Sequence, residues 1–146
     1  MDTICIESGT TADLPAIRLL LDALRLPTHD LGAPNQRFLV ARDGSEIAGC
    51  VALERYGDFA LLRSLAVLAP RQGHGLGSAL HEKALGFARE TGVANLFLLT
   101  TTAEGFFARK GCARIDRNLV PAPVQASPEF RSLCPARAVC MAQRLA

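Results

Sequence analysis

Three glycines at alternate positions open a helix-like segment in the middle of the chain. The segment reads RQGHGLGSALHEKALGFARETG from Arg71 to Gly92, and the glycines are Gly73, Gly75 and Gly77. A helix N-terminus presents unpaired backbone N–H groups and the positive end of the helix dipole. Without side chains to obstruct them, those groups are open to phosphate oxygens. The spacing predicts a pyrophosphate-binding turn, and a purely steric solution to a tight strand-to-helix corner is the alternative.

Two other phosphate-binding motifs do not fit this segment. A P-loop needs Gly-Lys-Ser/Thr after its turn, and the chain has Gly77-Ser78 without the lysine. A dinucleotide-binding fingerprint needs a third glycine where Ser78 stands and an acidic residue about 20 positions later. Asn95 begins the next apolar run there. The sequence therefore excludes both nucleotide-binding motifs.

Apolar periodicity on either side of the glycine turn predicts an α+β fold, a mixed sheet with helices packed on it. Strands are predicted at 3–7, 37–42, 46–55, 59–68, 95–101, 113–117 and 138–143, and helices at 14–24, from 76 to the stop at Gly92, and at 103–110. The tight turns DGS and YGD join the strands from 37 to 68 into an antiparallel meander. A Pro-containing loop at 119–128 either covers a substrate site or contacts a second subunit in a homodimer.

Length and composition predict one globular domain over residues 1–146. Hydrophobic residues make up 49% of the chain and charged residues 21%, as in ordinary folded domains. The net charge of +2 comes from scattered residues, so neither a nucleic-acid nor a membrane partner is expected. No signal peptide is recognisable, and no apolar run approaches the roughly 20 residues of a membrane span. We therefore expect a cytoplasmic protein.

The cysteines predict no covalent or metal framework. Cys5, Cys50, Cys112, Cys134 and Cys140 form an odd set without a CxxC pair. That pattern argues against disulfides and against a structural zinc site. We expect all five to be reduced thiols that pack as small hydrophobic side chains, and we expect no metal cofactor.

Two motifs together resemble a known family. Gln72-x-x-Gly75-x-Gly77, directly after the strand LRSLAVLAP, resembles the acyl-coenzyme A signature of the GNAT N-acetyltransferase family. The later stretch NLFLLTTTAEGFFARKGCARID is similar to the second half of that fold, in which a strand precedes an aromatic helix. The resemblance covers the chain from about Glu46 to Asp116.

The resemblance implies a specific site. In the family, the glycine turn holds the coenzyme A pyrophosphate, and the preceding strand splays from a parallel neighbour to receive the pantetheine arm. It implies a mostly antiparallel twisted sheet with a central splayed parallel pair, helices on both faces and acetyl-CoA as cosubstrate. A backbone N–H near Ala66 or Val67 would polarise the acetyl carbonyl for direct attack by an amine, without an acyl-enzyme. The implied cofactor-binding residues are Leu65, Ala66, Val67, Gln72, Gly73, His74, Gly75, Leu76, Gly77, Ser78 and Phe107.

Two departures from the family pattern leave the proton transfers open. Phe107 stands where the family often has a tyrosine that protonates the leaving thiolate, and Tyr56 is the chain's only tyrosine. The strand at 59–68 lacks the family's acidic residue and has only Arg63 and Ser64 as polar groups. Glu54, the nearest carboxylate, is either a base or a solvated strand-end residue. The candidate catalytic residues are Glu54, Ser64 and Tyr56, and water or the ammonium proton is the alternative acid.

Arg63 and Thr101 are the candidate acceptor-binding residues. An arginine on an apolar central strand is costly unless its charge has a partner. That partner is either a substrate oxyanion or an internal carboxylate, Glu54 or Asp58. LERYGDFALLRSLAV and LFLLTT also resemble amino-acid N-acetyltransferases, which implies a small amino-acid-like amine as the acceptor.

The tail PEFRSLCPARAVCM resembles small acetyltransferases associated with arsenic resistance. That resemblance implies an arsenic-containing or phosphinic amino acid as the acceptor. Cys134 and Cys140 are then either soft ligands for trivalent arsenic or ordinary core residues. The alternative to an enzyme is a non-catalytic sensor of acyl-CoA or arsenicals that keeps the fold.

Overall fold

A seven-stranded mixed sheet forms the centre of the structure, a computed structural model that describes residues 4–133 and 136–145. The strands lie in the order β1-β2-β3-β4-β5-β7-β6, and every neighbouring pair is antiparallel except β4 and β5. The strands are β1 (Ile4–Ser8), β2 (Gln36–Asp43), β3 (Glu46–Tyr56), β4 (Phe59–Val67), β5 (Asn95–Thr100), β6 (Ala113–Arg114) and β7 (Val139–Arg144). The helices are α1 (Leu14–Ala23), α2 (Leu76–Glu90), α3 (Glu104–Arg109) and α4 (Ala122–Gln125). The predicted α+β class and the central parallel pair are confirmed.

Strand alternation divides the sheet between two cores, because successive side chains point to opposite faces. On β2, Leu39 and Ala41 pack into the core beneath α2. Phe38 and Val40 pack on the other face, in the core that contains the buried side of α1. Helices therefore cover both faces of the sheet, as the family resemblance implied.

The meander of β2, β3 and β4 is also confirmed. Its two turns contain Gly44 (φ 62°) and Gly57 (φ 65°), and both have the left-handed backbone that glycine adopts without steric cost. The predicted start of α1 at Leu14 is confirmed. A short 3-10 turn, Thr11–Asp13, precedes it, and there the Asp13 carboxylate accepts a 2.8 Å hydrogen bond from the Thr10 backbone N–H.

The region after β5 differs from the prediction. The Pro-containing loop at 119–128 includes the helix α4, whose first turn tolerates Pro123 because the first amides of a helix need no partner. One wide π-helical turn, Glu129–Leu133, follows it. The strand predicted at 113–117 is only two residues long.

The cysteine prediction is correct in part. Cys50, Cys112 and Cys140 are buried free thiols, whereas Cys5 is exposed because its side chain points outward from the edge strand β1. Cys134 lies outside the described residues. Within 4–133 and 136–145, every helix is too short or too polar to cross a bilayer.

Candidate functional site

A bulge interrupts β4 at its centre. Cys50 of β3 pairs with Ala66 and Ala52 pairs with Arg63, so two residues of β4, Ser64 and Leu65, lie opposite a single residue of β3. Ser64 has a left-handed backbone (φ 59°), which is strained for a residue with a side chain. Its carbonyl accepts a 3.3 Å hydrogen bond from the Cys50 thiol. Bulges of this kind bend a strand and re-aim the residues after it.

The parallel pair of β4 and β5 separates next to the bulge. The two strands are paired only where Phe59–Leu61 faces Asn95–Phe97. Beyond that point β4 stays paired with β3, and β5 stays paired with β7 as far as Thr100. The facing edges of β4 and β5 therefore present backbone N–H and C=O groups that no strand uses. This is the splay that the family resemblance implied.

A cavity of about 1150 Å³ occupies the gap between the separated strands. One side of the cavity is lined by residues on the face of the sheet that α2 covers: Leu65, Val67, Gln72, Gly77, Phe106 and Phe107. We call this the glycine-turn side. On the opposite side the lining comes from the segment after α1 and from the C-terminal region: Arg25, Leu26, His29, Glu129, Ser132 and Arg137. We call this the carboxylate side. Arg63, Ser64 and Thr101 also line the cavity.

The three glycines of the turn have different roles. Gly73 (φ 83°) and Gly75 (φ 84°) have left-handed backbones, so side chains there would be strained. No atom lies within 4 Å of an added Cβ at either position, so the turn faces outward. Gly77 lies in the first turn of α2, where an added Cβ would be 3.9 Å from Val67 and 4.0 Å from Phe106. A larger side chain at Gly77 would therefore extend toward the cavity.

The other residues of the turn are arranged around its exposed backbone. The Gln72 amide donates a 2.9 Å hydrogen bond to the Val67 carbonyl, which ties the turn to the end of β4. His74 is exposed, and its Nδ1 lies 3.4 Å from the Arg71 carbonyl oxygen. Leu76 packs against the core, and Ser78 is half-buried in α2.

Arg63 lies at the centre of three carboxylates. Its guanidinium donates to both oxygens of Asp30 at 2.6 and 2.8 Å and to Glu54 at 3.2 Å. Its Nε lies 3.4 Å from a carboxylate oxygen of Glu129. The internal ion pair predicted for Arg63 is therefore present with Glu54, whereas Asp58 is not among these partners. Burial by itself would lower the pKa of Arg63, but the hydrogen bonds to Asp30 and the surrounding carboxylates raise it.

Glu54 and Tyr56 lie together behind the cavity wall. Glu54 is 1% exposed, so its prediction as a solvated residue is wrong. One of its oxygens accepts a 2.5 Å hydrogen bond from the Tyr56 hydroxyl, and the other accepts from Gln36 at 2.7 Å and from Arg63. Burial and the bond to Glu54 raise the pKa of Tyr56 to about 12. Neither side chain is among the described residues that line the cavity.

Glu129 is the carboxylate of this cluster that reaches the cavity. It is the first residue of the π-helical turn and is 3% exposed. Burial, together with the charges of Glu54 and Asp30, raises its pKa to about 7, although Arg63 opposes the shift. Sequence reasoning missed Glu129 and Asp30. The buried arginine signalled that carboxylate partners must exist, but nothing in its strand identified them.

An aromatic layer closes the glycine-turn side. Phe107 is buried and contacts Phe106 edge to face, with ring centroids 5.1 Å apart. His81 of α2 lies behind both rings, and neither of its ring nitrogens has a hydrogen-bond partner among the described residues. Burial lowers the pKa of His81 to about 4, so the ring is neutral at neutral pH. Across 4–133 and 136–145, no three His, Cys, Asp or Glu side chains are grouped as a metal site would need.

Comparison with known proteins identifies relatives over most of the chain. The family model described as the acetyltransferase (GNAT) family matches residues 10–112. An uncharacterised N-acetyltransferase of Chlorobaculum tepidum is 30% identical over 146 residues, which cover 93% of this chain and 90% of that protein. An amino-acid acetyltransferase of Mycobacterium tuberculosis is 33% identical over 129 residues, which cover 82% of this chain and 74% of that protein.

Solved structures share the fold. N-acetylglutamate synthase from Neisseria gonorrhoeae, complexed with coenzyme A and L-arginine, gives a TM-score of 0.81 at 22% identity. That match covers 99% of this chain but only 34% of the synthase chain. A Mycobacterium tuberculosis protein in complex with CoA and NLQ gives a TM-score of 0.80 at 26% identity, covering 97% of this chain and 99% of that one.

The Arg63 cluster generates a stability prediction. Arg63→Met should lower the free energy of unfolding by about 3–5 kcal/mol at pH 7.5, because it leaves buried carboxylates uncompensated. The loss should shrink at pH 5.5. A carboxyl whose folded pKa is raised binds more protons in the folded state, so it adds stability as the pH falls. Arg63 lowers the pKa of Glu129, so its removal raises that pKa further, and the variant gains more stability than the parent at low pH.

Urea unfolding of parent and variant at both pH values measures this loss. Arg114→Met is the matched control, because Arg114 pairs with Glu104 at the surface with 66% of its side chain exposed. Exposed pairs contribute little to stability, so the control should change the unfolding free energy far less. An equal loss for Arg63→Met at both pH values would contradict the prediction.

Proposed function

The chain belongs to the GNAT family of acetyltransferases, and from this premise we propose that it transfers the acetyl group of acetyl-CoA to the amine of a small amino-acid-like acceptor. One observation carries the proposal. A single cavity passes between the separated strands β4 and β5 and joins the glycine turn on one face to a pocket of charged side chains on the other. A donor and an acceptor can therefore meet between the strands. We propose that residues 1–146 act as one such domain.

The glycine-turn side is the proposed acetyl-CoA site. Backbone N–H groups from Gly73 to Ser78 would hold the pyrophosphate, because the turn faces outward and opens the helix α2. The Gln72 N–H already donates to the Ala69 carbonyl at 3.2 Å. The unpaired edge of β4 at Leu65, Ala66 and Val67 would pair with the pantetheine arm as a neighbouring strand does.

Direct transfer to the acceptor is the proposed chemistry. A backbone N–H near Ala66 or Val67 would donate to the acetyl oxygen and stabilise the negative charge that develops there. Phe107 lines the cavity where the family often has a tyrosine, and Tyr56 lies behind the cavity wall. We therefore propose that water, or the proton released by the attacking ammonium, protonates the departing thiolate.

The carboxylate side is the proposed acceptor site. Arg25 and Arg137 line it, and neither forms an ion pair within 4–133 and 136–145. Their charges suit an acceptor that carries a carboxylate or another oxyanion beside its amine. Arg63 is less suited to this role, because its own guanidinium is already neutralised by carboxylates. The similarity to an amino-acid acetyltransferase supports the same class of acceptor.

Arsenic-containing and phosphinic amino acids are the finer proposal. Their oxyanions would meet the same two arginines, and the tail sequence resembles acetyltransferases of arsenic resistance. Cys140 is poorly placed to bind arsenic directly, since it is buried among Leu61, Phe97 and Phe130. Burial raises the pKa of its thiol to about 11, which disfavours the thiolate that soft metals bind.

The proposal predicts a selective acetyl transfer. The chain should acetylate amino acids, or their phosphinic or arsenic analogues, and should act at least tenfold less efficiently on the matched amines without the acid group. Arg25→Gln and Arg137→Gln should each raise KM for the acceptor about tenfold, with a much smaller effect on kcat, because they remove ground-state binding. Release of free thiol from acetyl-CoA measures the transfer.

Arg89→Gln is the control for these variants, since Arg89 lies on the exposed end of α2, away from the cavity. Equal efficiency with and without the acid group would contradict the acceptor assignment. If the chain binds acetyl-CoA but releases no thiol with any acceptor, the non-catalytic sensor is favoured. Membership of an acetyltransferase family argues against that outcome.

A second prediction concerns the donor site. Gly77→Leu should weaken acetyl-CoA binding at least tenfold, because the new side chain would extend toward Val67 and Phe106 in the cleft. The same change should not lower the melting temperature, since leucine is a better helix former than glycine. Calorimetric titration with acetyl-CoA and thermal unfolding measure the two effects.

Gly86→Leu is the matched control, because Gly86 lies in the same helix and an added Cβ there contacts nothing within 4 Å. It should gain helix stability equally and leave the affinity unchanged. Unchanged affinity in Gly77→Leu would exclude the cleft beside Gly77 as the acetyl-CoA site.

A further inference from the structure

The Arg63 cluster holds more negative than positive charge. Asp30, Glu54 and Glu129 surround the single guanidinium of Arg63, whose side chain is 2% exposed. Charged groups in such a site are costly unless each is paired and hydrogen-bonded. The bonds within the cluster therefore decide which carboxyl group most readily takes up a proton.

Those bonds are unequal. Asp30 receives two short hydrogen bonds from Arg63, at 2.6 and 2.8 Å. Glu54 accepts from Tyr56, Gln36 and Arg63. Glu129 contacts the Nε of Arg63 at 3.4 Å and has no shorter ion pair with any residue of 4–133 or 136–145. Since hydrogen bonds to a carboxylate favour its charged form, Glu129 is the member held least firmly in that form.

Access to the cavity is unequal as well. Glu129 lines the cavity, whereas Asp30 and Glu54 are absent from its described lining. Asp22 is the other carboxylate there, but it is exposed at the end of α1 and accepts a 3.2 Å hydrogen bond from Thr28. Glu129 is therefore the buried carboxylate that a molecule in the cavity would meet.

The backbone holds Glu129 in place. It begins the π-helical turn Glu129–Leu133. Ser127, just before the turn, accepts a 3.3 Å hydrogen bond at its hydroxyl from the Phe130 N–H and a 2.9 Å bond at its carbonyl from the Arg131 N–H. The buried side chains of Val124 and Phe130 anchor the turn against the sheet. π-helical turns are rare in proteins overall, and those that occur are often found at functional sites.

We propose that Glu129 is the general base of the reaction and that Arg63 is its positioning residue. This inference rests on the proposed acetyl transfer. Glu129, rather than Glu54, would take a proton from the acceptor's ammonium group. The amine nitrogen would then form a bond to the acetyl carbon of the thioester, and collapse of the tetrahedral intermediate would break the carbon–sulfur bond.

The protons balance in this scheme. The attacking nitrogen still carries one proton more than the amide product, and that proton ends on the departing thiolate, directly or through water. Glu129 returns its proton to solvent before the next turnover. The net products are the N-acetylated acceptor, coenzyme A thiol and one released proton, and no metal or redox partner is needed.

The raised pKa of Glu129, about 7, supports this role, because a base that titrates near neutral pH combines sufficient ionised fraction with sufficient strength. Its charged and titratable surroundings come from four parts of the chain. They are Asp30 and His29 after α1, Glu54 and Tyr56 on β3, Arg63 on β4 and Arg137 before β7.

The pH profile of kcat/KM for the acceptor tests the inference. For the parent it should rise with pH through a pKa near 7, because the ionised form of Glu129 is the active base. Glu129→Gln should lower kcat/KM at pH 7 by about 100-fold or more. Its remaining activity should rise only at higher pH, through the pKa of the acceptor's own amine. That pKa lies above the value of about 8 of a peptide α-amino group, because the acceptor's free carboxylate favours the ammonium form.

Two controls separate the possible outcomes. Glu90→Gln removes a carboxylate from the exposed end of α2. It should leave in place the rise of kcat/KM near pH 7, the rising limb of the pH profile. Glu54→Gln should also keep that limb, although it disturbs the positioning of Arg63. Loss of the limb in Glu54→Gln, with its retention in Glu129→Gln, would overturn the proposal in favour of Glu54.

Failure of the base assignment is distinguishable from failure of the proposed function. If the parent releases no thiol with any acceptor, the proposed function fails; if it does and Glu129→Gln keeps the limb, only the base assignment fails. Where Glu129→Gln does not fold, Glu129→Asp keeps a carboxylate on a shorter side chain. It should lower kcat at least tenfold and retain a rising limb, and an unchanged kcat would overturn the assignment.

Discussion

The burial of one guanidinium organises the carboxylate side of the cavity in this acetyltransferase. Arg63 lies on a central strand with 2% of its side chain exposed, where an unpaired charge would be prohibitively costly. The carboxylates that neutralise it come from the segment after α1, from β3 and from the π-helical turn before β7. Elements far apart in sequence are therefore held around one point, and that point forms part of the cavity wall.

The backbone next to Arg63 shapes the glycine-turn side of the cavity. Ser64 follows it in the strained conformation of the β4 bulge, and the pairing of β4 with β5 ends just before it, at Leu61. Separated strand edges would be a liability in a folded sheet because their polar groups lack partners. A substrate arm that pairs with the edge of β4 would satisfy them, so the strain and the open edge fit the same donor. The glycine turn then begins within a few residues, at the end of the same strand.

The carboxylates around Arg63 divide into two that are firmly hydrogen-bonded and one that reaches the cavity. Glu54 and Asp30 are committed to several short hydrogen bonds, which keep Arg63 in place. Glu129 has weaker contacts and reaches the cavity, so its protonation state depends on what binds there. A carboxylate with this environment suits proton transfer better than one that is fully hydrogen-bonded.

The sequence by itself determined the local structure and the family. Apolar periodicity, turn glycines and the motif Gln72-x-x-Gly75-x-Gly77 depend on neighbouring residues, so they predicted the meander, α2 and the turn before it. Local pattern failed where proline suggested a loop, because proline is also tolerated in the first turn of a helix such as α4.

Only the tertiary structure decided which charges meet. Arg63 finds one partner 33 residues before it, at Asp30, and another 66 residues after it, at Glu129. No spacing rule links such positions, since they are neighbours only after β4 has packed against α1 and the π-helical turn. For the same reason the sequence could identify Glu54 as a nearby carboxylate but could not indicate that its oxygens are already bonded to Tyr56, Gln36 and Arg63. Burial and long-range pairing set the chemistry of a carboxylate, and both arise from packing rather than from sequence spacing.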